Sequence, residues 1–392
     1  MRPFNGRKIW FVGIGGAGLS GYALLARAWG AEVGGWDRVE TPYLNALEDI
    51  LLEITPEPVV PEGWDEVVVS TAYRALVQGR TRAEFLAELV SRQRSIVVAG
   101  AHGKTTTAAM IAFCLDRLGD DPAFLIGGEV PQLGGNARAG GGWLVVEGDE
   151  SDRTIASLRP EIAVVTNVDL DHHSEFASRT EVEQLFESWA SQAPKAVRGA
   201  ELEPVEFELA VAGEHNRCNA SVALAALELA GLAREQARAA LAEFRGAGRR
   251  LESRGEAAGV EVIDSYAHHP AELAADLGAA RNGGRLLVLF QPHLYSRTRH
   301  LARELGRVLA AADAVAVTDV YRAREEPVEG VTGKLVVDAL ADARPGMELA
   351  WTPTVEEGAV FLARRARRGD RVLTLGAGDV DRAVPLILQE LS

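Results

Sequence analysis

The run Gly100–Thr107, GAHGKTTT, sets a lysine and three consecutive hydroxyls directly behind a glycine-rich turn. Backbone N–H groups in such a turn converge on phosphate oxygens, and the N-terminus of a following helix adds its dipole. Lys104 would then reach the β- and γ-phosphates while Thr105 holds Mg²⁺ through its hydroxyl, so ATP or GTP is the first ligand to expect. Gly100 stands closer to the Gly103-Lys104 pair than the general spacing requires, which makes this a shortened phosphate loop. Two acidic clusters offer further metal ligands. Glu147, Asp149, Glu150 and Asp152 lie in VVEGDESD, and Asp169, Asp171, His172 and His173 lie in NVDLDHH. Such groups can hold the Mg²⁺ that accompanies a nucleotide, or can cap helices and stay solvated. A second glycine loop, Gly13, Gly15 and Gly18, spells GxGxxG, with Asp37 about twenty residues on. It suits NAD or another diphosphate, and equally a close helix–strand contact.

Elements must deliver these groups to one place. The β-branched run before Gly100 predicts a strand, and AAMIAFCLDRL after it predicts a helix. KIWFV and LSGYALLARAWG predict the same pair around the first glycine loop. EVVVS, WLVV and IAVV read as further strands, and AEFLAELVSRQ as a helix. In a parallel sheet the carboxyl ends of strands gather at one edge, so both acidic clusters would meet the phosphate loop there. Residues 199–212 alternate enough to suggest a strand, and GEHNRCNASVALAALELAG a helix. On that helix Asn216 and Asn219 could be caps, or could join His215 in presenting hydrogen-bonding groups to a base. From about residue 245, VEVIDSYAHHP and RLLVLFQPH read as strands ending near Asp264 and His293, YSRTRH brings an arginine pair, and VLTLGAGD repeats the strand-to-glycine-loop design. Strand, loop and helix restart near Ser95 and near 245, so the organisation is 1–94, 95–244 and 245–392.

Composition narrows the classes. A chain of 392 residues suggests two or three α/β domains, and 47% hydrophobic with 25% charged residues is ordinary for a globular enzyme. A net charge of -15 argues against a nucleic-acid surface. Two cysteines, no signal-like leader and no span-length apolar run point to a cytoplasmic protein without membrane insertion.

Two phosphate-compatible loops and a third segment rich in Arg and His suit a ligase. ATP would phosphorylate a carboxylate, and an amine would then displace phosphate, because phosphate leaves an acyl phosphate far more readily than oxide leaves a carboxylate. Lys104, Mg²⁺ and an arginine would neutralise the developing charge.

In order, GIGGAGLSG, GAHGKTTT, GGEVPQLGGNARAG leading into VVEGDESD, NVDLDHH, GEHNRCNA, RRLE, DSYAHHP, FQPHLYSRTRH and GAGD resemble the Mur ligases of peptidoglycan synthesis over nearly the whole chain. The resemblance implies three domains: a Rossmann-like N-terminal one, a P-loop ATPase-like central one, and a C-terminal Rossmann-like α/β one. It implies ATP-dependent ligation of L-alanine to UDP-N-acetylmuramate, by a monomer or homodimer. A muropeptide ligase and a catalytically reduced nucleotide-binding protein are the alternatives. Gly13, Gly15, Gly16, Ala17, Gly18, Ser20, Asp37, Ser70 and Asn136 would then bind the UDP-sugar. Gly100, Ala101, His102, Gly103, Lys104, Thr105, Thr106, His215, Asn216, Asn219, Arg250 and Asp264 would bind ATP. Thr105, Glu147 and His172 would ligate magnesium, and Tyr266, His268 and Arg297 would surround the amino acid. Catalysis would rest on Lys104, His172, Arg250 and His268, the last orienting or deprotonating the amine. Lys104 and Arg250 lie in different segments but would meet the same phosphates, so closure is expected. Four departures stand out: Gly148 replaces an alanine, Arg153 a small residue, Leu294 a frequent arginine, and Ser265 a frequent second acid. The stretches from His172 to Gly213 and from Ser70 to Arg82 are also short for the family.

Overall fold

The computed structural model describes residues 3–47, 49–150, 153–169, 176, 178–323 and 325–392. They build three sheets. The first holds β1 (Lys8–Val12), β2 (Glu32–Asp37), β3 (Leu51–Ile54), β4 (Glu66–Val69) and β5 (Arg80–Thr81), all parallel, in the order β3-β2-β1-β4-β5. The second holds β6 (Ser95–Ala99), β7 (Ala123–Val130), β8 (Gly135–Arg138), β9 (Leu144–Glu147), β10 (Ile162–Val165) and β11 (Lys195–Arg198). Its order is β11-β10-β6-β9-β7-β8, and only β8 runs antiparallel. The third holds β12 (Glu252–Ala257), β13 (Val260–Ser265), β14 (Leu286–Phe290), β15 (Ala314–Val317), β16 (Glu348–Trp351) and β17 (Arg371–Leu375). There the order is β12-β13-β17-β14-β15-β16, with β12 alone antiparallel.

Helices follow the strands, as parallel sheets require: α1 (Ala17–Ala28), α2 (Arg82–Arg92), α3 (Lys104–Arg117), α4 (Arg179–Ala190), α5 (Glu214–Ala230) and α6 (Arg234–Ala242). In the third sheet they are α7 (Pro270–Ala280), α8 (Tyr295–Leu309), α9 (Lys334–Ala343), α10 (Val355–Ala363) and α11 (Ala383–Leu391). The described residues divide into two compact units. One contains the first two sheets with Ser178–Ala210 and Arg217–Arg245; the other contains Val211–Asn216 and Gly246–Ser392.

Burial explains why these stretches take these forms. Every residue of β6 is buried, as expected of a strand covered on both faces. In α3 the whole run Thr105–Leu115 is buried, so the helix carrying Lys104 is set in the core and its N-terminus is fixed. Trp10, Val12, Trp36 and Val69 pack with Trp64 and Tyr73 beneath the first glycine loop. The third sheet buries one face under α7, α8 and α9 through Leu273, Leu301, Leu305 and Leu340. Its other face lies under α10 and α11 through Val355, Leu362 and Ile387.

Two elements differ from the sequence expectation. Residues 199–212 are not a strand: β11 ends at Arg198, and a short 3-10 turn, Gly199–Glu201, precedes irregular chain. Pro204 has no N–H to give a ladder, and Val205 instead bonds Arg217, its N–H to the Arg217 carbonyl and its own carbonyl to Arg217 Nε. β14 stops at Phe290, three residues before His293, because Pro292 interrupts it; His293 forms an isolated bridge with Tyr321.

Candidate active site

The phosphate loop leaves β6 and enters α3 with Gly100 and Gly103 at φ 131° and 79°. Both positions need glycine. A Cβ at Gly100 would sit 2.1 Å from Thr166 Oγ1, and one at Gly103 would sit 2.2 Å from Asn219 Oδ1. Lys104 Nζ donates to the carbonyls of Gly100 (2.6 Å) and Ala101 (3.1 Å) and to Glu150 Oε1 (2.9 Å). Burial alone would lower the lysine's pKa, but Glu150, Glu147 and Asp149 outweigh it and hold the ammonium above its ordinary value. Thr105 Oγ1 donates to Glu147 Oε1 at 3.0 Å, and Glu147 Oε2 accepts the Gly127 N–H at 2.7 Å. Thr106, next on α3, is buried.

A brace that sequence reading missed holds this loop. Asn167 Oδ1 accepts the His102 N–H (2.9 Å), and its Nδ2 donates to the His102 carbonyl (2.8 Å). Thr166 Oγ1 donates to the same carbonyl at 2.7 Å. The pairing of β10 with β6 brings both residues there, and the only sequence sign was their place just ahead of the second acidic cluster. The His102 ring lies 3.7 Å from Asp169 at Nε2. His172, with Asp152, Asp171 and His173, lies outside the described residues.

The first glycine loop follows β1. Gly13 takes φ 88° against Ser70, whose N–H donates to the Val12 carbonyl. Asp37, expected among the UDP-sugar residues, accepts the Gly15 N–H at 2.7 Å through Oδ2 and that of Arg38 through Oδ1, so it is buried beneath the loop and shapes it. Thr41 Oγ1 adds a 2.7 Å bond to the Gly15 carbonyl. Gly16, Ala17 and Gly18 open α1, while Ser20 turns its hydroxyl inward to the Ala17 carbonyl. Asn136 on β8 also donates to that carbonyl (3.3 Å), tying the first loop to the second sheet.

Between the two loops lies a cavity of about 300 Å³. Ala17, Gly18 and Asn136 line one side; Lys104, Glu147 and Asp149 line the other. A ligand held by the first loop can therefore extend to the phosphate-loop lysine.

On the third sheet, ring contacts join Tyr266 to His268 (5.7 Å) and His268 to His293 (5.5 Å), and Arg297 Nη1 reaches His293 Nδ1 at 3.2 Å. The three expected amino-acid residues thus gather around His293, which motif reading had not singled out. His268 Nδ1 lies 2.9 Å from the Tyr266 carbonyl, which can only accept, so Nδ1 carries a proton. The Arg250 guanidinium sits over the Tyr266 ring at 5.5 Å. Asp264, expected to touch ATP, is instead fully buried: it takes Arg249 Nε (2.8 Å) and Thr374 Oγ1 (2.5 Å). Arg249 also donates to the carbonyls of Gly376 and Gly378, so the pair locks the last glycine loop. On α5, Asn216 Nδ2 donates to the Ala212 carbonyl, while Asn219 is a full turn inside the helix and packs on Gly103 rather than capping. His215 Nε2 stands 4.0 Å from Asp276, its pKa lowered by burial and by Arg250.

Fold and site define a multi-sheet α/β protein built around a phosphate-binding loop. The Mur ligase middle domain matches residues 98–197, and the Mur ligase, glutamate ligase domain matches residues 249–378. UDP-N-acetylmuramate--L-alanine ligase of Streptomyces coelicolor is 39% identical over 454 residues, covering 97% of each chain. That of Renibacterium salmoninarum is 40% identical, covering 98% of this chain and 96% of its own. The crystal structure of UDP-N-acetylmuramate-alanine ligase MurC from Thermotoga maritima superposes with a TM-score of 0.78 at 26% identity, covering 97% of this chain and 98% of that one. A murein peptide ligase from Psychrobacter arcticus shares the fold, with a TM-score of 0.65 at 23% identity and coverage of 98% and 99%. This chain belongs to the Mur ligase family. The 454-residue alignment exceeds its 392 residues, so the Streptomyces relative has insertions that this chain lacks.

Proposed function

We propose that the chain is an ATP-dependent ligase that joins L-alanine to the carboxylate of UDP-N-acetylmuramate in peptidoglycan synthesis. One observation carries the reading: a single cavity runs from the first glycine loop to Lys104 and Glu147. It gives a diphosphate-bearing substrate a path that ends where ATP phosphates would lie.

The domains divide the work as 1–94 for the UDP-sugar, 95–244 for ATP and 245–392 for the amino acid. The loop N–H groups and Lys104 hold the β- and γ-phosphates in line with the substrate carboxylate. One carboxylate oxygen attacks the γ-phosphorus and ADP leaves. The neutral amine then attacks the acyl phosphate, and phosphate departs with that oxygen. Arg250 supports charge on the transferred group, Arg297 pairs with the amino-acid carboxylate, and Nε2 of His268 takes the amine proton. Asp264 positions Arg249 and Asp37 positions the first loop. The Thr105 hydroxyl and Glu147 carboxylate, 3.0 Å apart, would supply oxygen donors of the kind that suit Mg²⁺, and His172 would serve a second magnesium associated with the attacking carboxylate. When bound, the ion neutralises phosphate charge. His215, Asn216 and Asn219 serve the adenine side. The protein works in the cytoplasm, where its nucleotide substrates are made, as a monomer or homodimer.

Phosphate release measured with a panel of L-alanine, glycine, L-serine and a short peptide tests the reading. Turnover that requires UDP-N-acetylmuramate and prefers L-alanine supports it; preference for the peptide, or nucleotide binding without turnover, overturns it.

A further inference from the structure

Asp276 on α7 is a buried carboxyl that the reaction above does not use. Its Oδ2 accepts a 2.5 Å hydrogen bond from Ser265 Oγ, and Ser265, fully buried at the end of β13, accepts the Ala267 N–H at 3.3 Å. An ionised carboxylate can only accept, so it forces the serine hydroxyl to donate and leaves the oxygen lone pairs for Ala267. The result is a one-way chain from Ala267 N–H through Ser265 to Asp276, each bond polarising the next. Ala267 lies between Tyr266 and His268, so the chain orders the turn that presents both. Position 265 is where the family resemblance leads one to expect a second acid, and here it is serine.

We propose that Asp276 supplies from α7 the carboxylate that position 265 lacks, and through Ser265 positions the Tyr266–His268 turn for the incoming amino acid. The proposal rests on the reading of Tyr266 and His268 as amino-acid residues. Asp276 is a positioning residue and touches no substrate. The charged and titratable groups around it are Glu272 on α7, His215 at the start of α5, and Arg250 ahead of β12. Burial raises the Asp276 carboxyl to about 7; the Ser265 hydrogen bond and Arg250 oppose that, and Glu272 adds to it. His215 is driven toward its neutral form, so near neutral pH the change of charge belongs to Asp276. The chain is therefore complete above pH 7 and weakens below it.

The test compares the full-length wild type, Asp276→Asn and the exchange variant Ser265→Asp/Asp276→Ser in steady-state assays from pH 6 to 9. Asp276→Asn should raise KM for L-alanine about tenfold at pH 8, the worth of one charge-assisted hydrogen bond, while leaving KM for ATP unchanged. The rise of wild-type KM below pH 7 should vanish in that variant, and the exchange variant should return KM to within about threefold of wild type. A separate readout needs no substrate: the Ala267 amide resonance should titrate near pH 7 in the wild type and not in Asp276→Asn. If the wild type rejects L-alanine but the amide titrates, the functional reading fails and the positioning chain stands. If the amide does not titrate, or if folded Asp276→Asn keeps wild-type KM and pH profile, the proposal is overturned.

Discussion

Replacing Lys104 with methionine keeps the shape of the side chain and removes its charge, and the structure sets the cost before any nucleotide binds. The ammonium is 2.9 Å from Glu150, whose side chain is only 3% exposed, and it faces Glu147 and Asp149 as well. Removing it leaves a buried carboxylate beside two like charges, a change that costs about 3–5 kcal/mol. In a unit of this size each kcal/mol moves Tm by about 2–4 °C, so Lys104→Met should melt roughly 10 °C lower than wild type without ligand. Glu150→Gln in the same chain removes that buried charge and should restore most of that loss. Neither variant should release phosphate, because the role proposed for the lysine is to meet the γ-phosphate. Calorimetry on nucleotide-free protein gives the melting points, and a coupled phosphate assay gives the turnover. A single variant that melts with the wild type, or a double variant no more stable than the single, refutes the electrostatic account. Turnover in either one refutes the catalytic account.

Gly100→Ala forces a Cβ to 2.1 Å from Thr166 Oγ1 at a φ that alanine avoids. ATP affinity should fall at least tenfold by titration calorimetry, with about 2 kcal/mol lost from stability. Asn167→Ala removes both bonds to the His102 backbone. It should lower stability by about 2 kcal/mol in urea melts and raise KM for ATP more than KM for L-alanine. The Asp276 carboxyl is raised from 3.8 to about 7, so between those values the folded state binds more protons than the unfolded chain. Stability should thus fall as pH rises from about 4 to 7 and level off above, by roughly 4 kcal/mol from this group. The wild-type minus Asp276→Asn difference in urea melts at pH 5, 6, 7 and 8 reads that slope; a flat difference contradicts it.

The phosphate loop was legible because its meaning is local: strand, glycines, lysine, hydroxyls and helix are consecutive, and the structure keeps them so. Glu147 was legible for a related reason, as an acid at the end of an apolar run beside that loop. What sequence could not show depends on lateral pairing. Thr166 and Asn167 brace the loop only because β10 lies against β6, about sixty-five residues away in the chain. Arg249 and Arg250 look alike in RRLE, and both guanidiniums lie over the Tyr266 ring, yet Arg249 is also consumed by Asp264 and two carbonyls. Asp37 carried the motif's expected acid, but its carboxylate turned down onto Gly15. The alternation in 199–212 misled because apolar spacing is blind to Pro204 and to the want of a neighbouring strand. Asp276 belongs to no motif, and only its burial against Ser265 draws notice.

The central claim is that ATP phosphorylates the sugar carboxylate directly. UDP-N-acetylmuramate carrying ¹⁸O in both carboxylate oxygens, turned over with ATP and L-alanine, tests it in one mass spectrum. An acyl phosphate route places one ¹⁸O in every released phosphate and leaves one in the amide product. Phosphate free of label would mean that water, not the carboxylate, meets the γ-phosphorus, and the account would be wrong.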